Sequence, residues 1–155
     1  MLLVAALAAG CATRNTIDQR TTQGPTAEGV WLQRVAQETG RTPTFEERRH
    51  WEDSIDARIG EYLRRNPERA SALDVSTFRF MRQVAVGMDR EQVLILLGSP
   101  LRTTTDQGAI EQLARRHWTA MQGNSMTEAW EYPQGWRMFF AGSRLVDITQ
   151  YRPPS

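Results

Sequence analysis

Between Met88 and Pro100 the chain carries the signals for both ends of one short helix, and this segment constrains the fold more than any other. Asp89 stands as an N-cap, Gln92 is the returning partner of a capping box, and Met88 can staple onto Val93 across the first turn. Val93, Leu94, Leu96 and Leu97 supply the apolar face. Gly98 offers a left-handed C-cap and Pro100 prevents continuation. The segment predicts a compact, sharply bounded helix that must present its apolar face to a core.

Upstream, the pattern is also helical. From Glu28 to Thr39 the residues Val30, Trp31, Leu32, Val35 and Ala36 fit a short amphipathic helix stopped by Gly40. Thr44-Phe45-Glu46-Glu47 is a second capping box, after which Trp51, Ile55, Ile59, Tyr62 and Leu63 recur at helical spacing. Arg48 with Glu52, Arg49 with Asp53 and Glu61 with Arg65 form i, i+4 pairs on the opposite face, which reads as solvated surface. Asn66-Pro67 ends this helix and is placed to cap the next, with Leu73, Val75, Phe78 and Met81 as its apolar side.

Downstream, the period changes from helix to strand. Trp130 and Tyr132 share one face of an extended segment, as do Trp136, Met138 and Phe140, and a third strand runs from Leu145 to Tyr151. Pro133-Gln134-Gly135 and Ala141-Gly142-Ser143 supply the turns. Between them and the capped helix, residues 102–126 form an insert in which Ile110, Leu113, Ala114, His117, Trp118 and Met121 trace an amphipathic helix over Ala109–Met121, read as an extra helix completing the core. The expected class is α+β: several amino-terminal helices packed on a small three-stranded antiparallel sheet.

The run Val86-Gly87-Met88-Asp89-Arg90-Glu91-Gln92-Val93 to Leu97-Gly98-Ser99-Pro100, followed by Trp130-Glu131-Tyr132 and two further strands, resembles the SmpA/OmlA (BamE-like) outer-membrane lipoproteins. Tyr62-Leu63 with Asn66-Pro67-Glu68 is similar to an upstream helix of some members, so the resemblance spans about residues 62–151. Asp89 stands where the family usually has Thr or Ser, a change that preserves capping. The resemblance implies a helix-helix-strand-strand-strand core, no enzymatic activity, and an accessory or scaffold role among the components that assemble β-barrel proteins and maintain the envelope.

The amino terminus points the same way. Leu2 to Ala9 is an unbroken apolar run, too short to cross a bilayer core that needs about 20 residues but suited to a signal peptide. Ala8-Ala9-Gly10-Cys11 resembles a lipobox, which implies that residues 1–10 are the end of a signal peptide whose charged start precedes Met1. Cys11 then carries the acyl chains. An ordinary secretory signal with a chance cysteine is the competing reading. Lipidation supplies several buried chains, enough for a stable anchor, and Ala12 in place of Asp implies sorting to the periplasm-facing side of the outer membrane. Residues 11–27, polar and carrying Gly24-Pro25, read as a flexible tether, 28–84 as a helical extension, and 85–155 as the BamE-like domain with its insert.

Composition narrows the function further. The net charge of +1 gives no global field for nucleic acid, and a single cysteine excludes an internal disulfide and a Cys-rich zinc site. No phosphate loop, dinucleotide fingerprint, nucleophile elbow or zinc-protease motif is present. His50 and His117 sit beside tryptophans on helices and read as boundary residues, leaving a secreted enzyme built on either as the remote alternative. No cofactor, metal or small-molecule substrate is expected. Five tryptophans offer material for a protein-binding surface, with Trp130, Tyr132 and Trp136 the candidates, joined by Trp31. A sequestering, inhibitor-like binding module is the second reading of such a surface.

Overall fold

The computed structural model describes residues 15–71 and 75–154. The signal segment and Cys11 lie outside the described residues, as does Leu73. In chain order the elements are β1 (Ile17–Thr21), β2 (Gln23–Thr26), α1 (Ala27–Thr39), α2 (Phe45–Arg65), α3 (Pro67–Ala70) and β3 (Gln83–Ala85). Then come α4 (Arg90–Leu97), β4 (Arg102–Thr104), α5 (Gln107–Ala114), α6 (Trp118–Met121), β5 (Glu128–Tyr132), β6 (Trp136–Ala141) and β7 (Arg144–Arg152). The class is α+β.

The helix boundaries follow their caps. Thr44 accepts from the amide of Glu47 while the Glu47 carboxylate takes the Thr44 amide at 2.8 Å, and Asp89 and Gln92 make the same reciprocal pair at the start of α4. Gly40 ends α1 in the left-handed region at φ 70°, ψ 10°. Gly98 ends α4 differently: at φ 73°, ψ −165° it takes a positive φ that L side chains avoid, but in an extended rather than a left-handed helical turn. Asn66 also departs from expectation, since its side chain donates back to the Tyr62 carbonyl at 2.9 Å and closes α2 instead of capping α3. The next segment is a five-residue π-type turn over Thr77–Met81 that buries Phe78 but leaves Phe80 and Met81 exposed, so Met81 is surface and not core.

Strands β5, β6 and β7 pair antiparallel in the expected order, with Trp130 opposite Met138 and Met138 opposite Ile148. Among the described residues, however, the sheet has five strands in the order β1-β7-β6-β5-β4, not three. β4, from the insert, pairs with β5, and β1, from the expected tether, pairs with the carboxy-terminal half of β7 from Ile17–Arg152 to Thr21–Ile148. A small β2–β3 ladder lies beside it. Residues 17–26 are therefore ordered strand, because their polar side chains find partners instead of water. Gln19 donates to Gln150 at 2.9 Å, and Arg20 forks onto Asp147 through two bonds of 2.8 and 2.9 Å.

Alternation along the strands sends side chains to both faces, and both faces are covered. Trp130, Tyr132, Met138, Phe140, Leu145 and Ile148 share a core with Ile55, Ile59 and Tyr62 of α2 and Val93, Leu96 and Leu97 of α4. Ala129 and Phe139 point the other way and pack with Ile110, Ala114, Met121 and Met126 of the insert, so the insert does complete a core. Its helix is not continuous: it breaks at Arg115, which is held at φ 55°, and α6 restarts at Trp118. Without the insert this sheet face would be bare, and Ala129, Phe139 and the partly buried Val146 would lose their cover.

Candidate functional site

Two arrangements carry the architecture that a binding function would use. The first is the joint between α2 and α4. The Tyr62 hydroxyl donates to Asp89 Oδ2 at 2.5 Å while Oδ1 of the same carboxylate caps α4. Burial and the neighbouring carboxylate push the Tyr62 phenol well above its ordinary range, so it stays a donor. Arg65 adds an ion pair to Glu91 at 2.5 Å. On the other side Tyr132 donates to the Gly98 carbonyl at 2.8 Å, fastening the end of α4 to the sheet. The phenol of Tyr132 is likewise raised, by burial.

This joint shows where the expected aromatic surface went. Trp130 and Tyr132 are 6% and 2% exposed: they are core, the former packed at a tilt against Phe140 with ring centroids 4.5 Å apart and its indole N–H on Glu128. A partner meets little of either, so these two do not form the outward patch the sequence suggested. Alternation explains it, since their face of the sheet is the one that α2 and α4 cover. Trp136 alone of the three is half-buried, and it borders a cavity of about 250 Å³ with Pro25, Gln33 and Pro133. Trp31 lies elsewhere, stacked on Trp51 at 4.7 Å between the guanidiniums of Arg48 and Arg82, where it ties α1 to α2. Arg48 pairs with Glu28 of α1 rather than with a neighbour on its own helix.

The second arrangement lies at the end of the sheet where the described chain begins. There Ile17 pairs with Arg152. Asp18 turns to the insert side and accepts from His117 Nε2 at 2.8 Å, with Arg116 at 3.3 Å and Arg115 at 3.9 Å from its other oxygen. Arg116 also donates to the Asp18 carbonyl at 2.6 Å. The Arg115 guanidinium lies 3.6 Å over the Tyr151 ring, with Arg137 on the same ring at 5.9 Å. Burial lowers the Arg137 guanidinium from its ordinary value. Arg115, Arg116 and His117 thus gather around the Asp18 carboxylate, while Arg137 stands opposite Glu131 on the neighbouring strand.

The chain matches no family model, no curated protein and no solved structure.

The histidines are not brought together as a pair in any described contact: His50 is exposed on α2, while His117 belongs to the Asp18 cluster. Among the described residues there is no grouping of three or more His, Cys, Asp or Glu that could hold a metal. Gly87 (φ 100°), Met88, Asp89, Gln92, Val93 and Gly98 all serve the start, core face and end of α4, with Met88, Gln92 and Val93 fully buried; Pro100 follows beyond the helix. Sequence reasoning missed the Asp18, Arg115, Arg116 and Tyr151 cluster. Asp18 lies 97 or more positions from the other three, and the local signal available was the adjacent basic trio Arg115-Arg116-His117.

Proposed function

We propose that this chain is a lipid-anchored envelope protein of the SmpA/OmlA (BamE-like) type, attached through Cys11 and acting without catalysis as an accessory or scaffold in β-barrel assembly or envelope integrity. The observation that carries the reading is the joint just described: a doubly capped α4, seated on an antiparallel sheet by Tyr132 and locked by Tyr62, at the positions where the sequence resemblance lies. The large side chains of the resembling strand are spent on this core. The protein partner would then meet the outer surfaces of the helices or the half-buried Trp136 and its cavity.

The anchor and the partner are tested separately. Cys11→Ser should move the protein from the membrane to the soluble fraction, and unchanged membrane partitioning refutes the anchor. Crosslinking of the anchored protein in intact envelopes, followed by identification of its neighbours, should recover a barrel-assembly component. Recovery of a soluble enzyme instead favours the sequestering reading.

A further inference from the structure

Three helices meet at a cavity of about 190 Å³ that plays no part in the scaffold role. α1 contributes Trp31 and Arg34, α2 contributes Trp51 and Arg58, and the end of α4 contributes Ile95 and Leu97. A volume of this size holds one ring-sized apolar group, since about 150 Å³ suffices for benzene. It is too small for a nucleotide or a drug-sized cofactor, whose sites start near about 300 Å³.

The polar side of the cavity is cationic, with no carboxylate among its lining residues. Arg34 directs Nη2 to the Leu97 and Ser99 carbonyls at 3.2 and 2.7 Å, and its Nη1 has no partner among the described residues. Its Nε is buried and equally unpartnered. Arg58 is exposed, and its guanidinium makes one long bond, from Nε to the Ser54 carbonyl of its own helix at 3.4 Å. Neither arginine is ion-paired among the described residues, whereas their neighbours Arg48 and Arg82 pair with Glu28 and Asp56. The carboxy-terminal end of a helix ordinarily repels an anion, but the carbonyls of Leu97, Gly98 and Ser99 already accept from Arg34 and Tyr132. The apolar side is complementary. Trp31 and Trp51 stack at 4.7 Å with Arg48 and Arg82 over their outer faces, so ring edges are left to border the cavity. An electropositive ring edge suits the face of an aromatic ligand.

We infer that this cavity is a binding site for a carboxylate joined to one apolar group about the size of a phenyl ring. The ring enters between the tryptophan edges and Ile95 and Leu97, while Arg34 Nη1 and Arg58 take the carboxylate. Two sources share that chemistry, a free aryl-alkyl acid and the carboxy-terminal residue of a peptide. The site depends neither on acylation at Cys11 nor on the scaffold reading, so its failure leaves both standing.

The chain from residue 12 onward, which keeps every described element, is titrated with 3-phenylpropionate and followed by NMR. An acid of this size is expected to bind with a Kd of about a millimolar. Shifts are expected at the Ile95 and Leu97 methyls and at the Trp31 and Trp51 indole N–H groups, and not at Trp136. 3-Phenylpropionamide keeps the ring and loses the charge, acetate keeps the charge and loses the ring, and each should bind roughly tenfold more weakly or worse. Arg58→Gln should weaken the acid about two- to fivefold, the effect of one solvent-exposed charged contact. Arg58→Lys should keep most of the affinity, and Arg64→Gln, the same charge change at an exposed position of the same helix, should not alter it. Acetyl-Ala-Ala-Phe assigns the source: tighter binding than the free acid points to a peptide end, and weaker binding to the free acid. Equal binding of the amide, an Arg58→Gln affinity equal to that of the wild type, or shifts confined to residues outside α1, α2 and α4 would overturn the inference.

Discussion

Replacing Tyr62 by Phe removes one oxygen from a ring that otherwise keeps its place, edge-on to Phe78 at 5.3 Å and 1% exposed. What is lost is the 2.5 Å bond to Asp89 Oδ2. A hydrogen bond to a charged group contributes about 1.5–3 kcal/mol, and because Asp89 is half-buried, with water able to replace part of the loss, about 1.5–2 kcal/mol is expected here. Asp89→Ala removes the same bond and also the cap on the Gln92 amide, a further ~1 kcal/mol, so it should cost about 2.5–3 kcal/mol. The double variant decides whether the two act as one unit. In the Asp89→Ala background Tyr62→Phe should cost almost nothing, giving a coupling of about 1.5–2 kcal/mol by urea denaturation with unchanged m values. If Tyr62→Phe costs the same with and without Asp89, the α2–α4 joint is not held through this bond, and the account of the site's framework fails.

Two further outcomes follow from the same contacts. Asp147 is 3% exposed and is satisfied by Arg20 and by Asn124 at 2.7 Å, so Arg20→Met leaves a buried carboxylate under-bonded. The expected loss is about 2–3 kcal/mol, below the ~3–5 kcal/mol of a fully buried pair because Arg20 itself is part-exposed. Adding Asp147→Asn should restore part of the stability, and a double variant as weak as Arg20→Met would refute the assignment. At the start of α2, the Arg41 guanidinium, followed by the Thr44 amide, lowers the Glu47 carboxyl from 4.5 to about 2. A carboxylate lowered on folding stabilises above its unfolded value, and that contribution disappears as pH falls through the folded one. The difference in urea midpoint between wild type and Glu47→Gln should therefore be constant above about pH 5 and shrink between pH 4.5 and 2; a constant difference through that window counts against the Arg41 contact.

What the sequence disclosed was what apolar periodicity and capping chemistry report. The helix starts at Thr44 and Asp89 are written within four residues each, and both boxes close as read. The pairing of β5, β6 and β7 was legible because each strand places large apolar side chains on alternate positions beside turn-forming residues. The widening of that sheet was not, because β1 is stabilised by a different currency of contact. In Ile17-Asp18-Gln19-Arg20-Thr21 the alternation is real, but it alternates partners: Asp18 and Arg20 reach His117 and Asp147 on the insert side, while Gln19 meets Gln150. A polar strand whose bonding groups lie about a hundred residues away looks, locally, the same as a solvated linker. The aromatic surface failed for the complementary reason. Trp130 and Tyr132 have the residue types of a binding patch, but residue type does not say which face of a sheet is covered, and here α2 and α4 cover theirs. The same covering transfers the question of function from the aromatic strand to its edges. Among the described residues, a sheet filled on both faces leaves its edges and ends, the outer sides of the helices and the cavity beside Trp136 for a partner to meet.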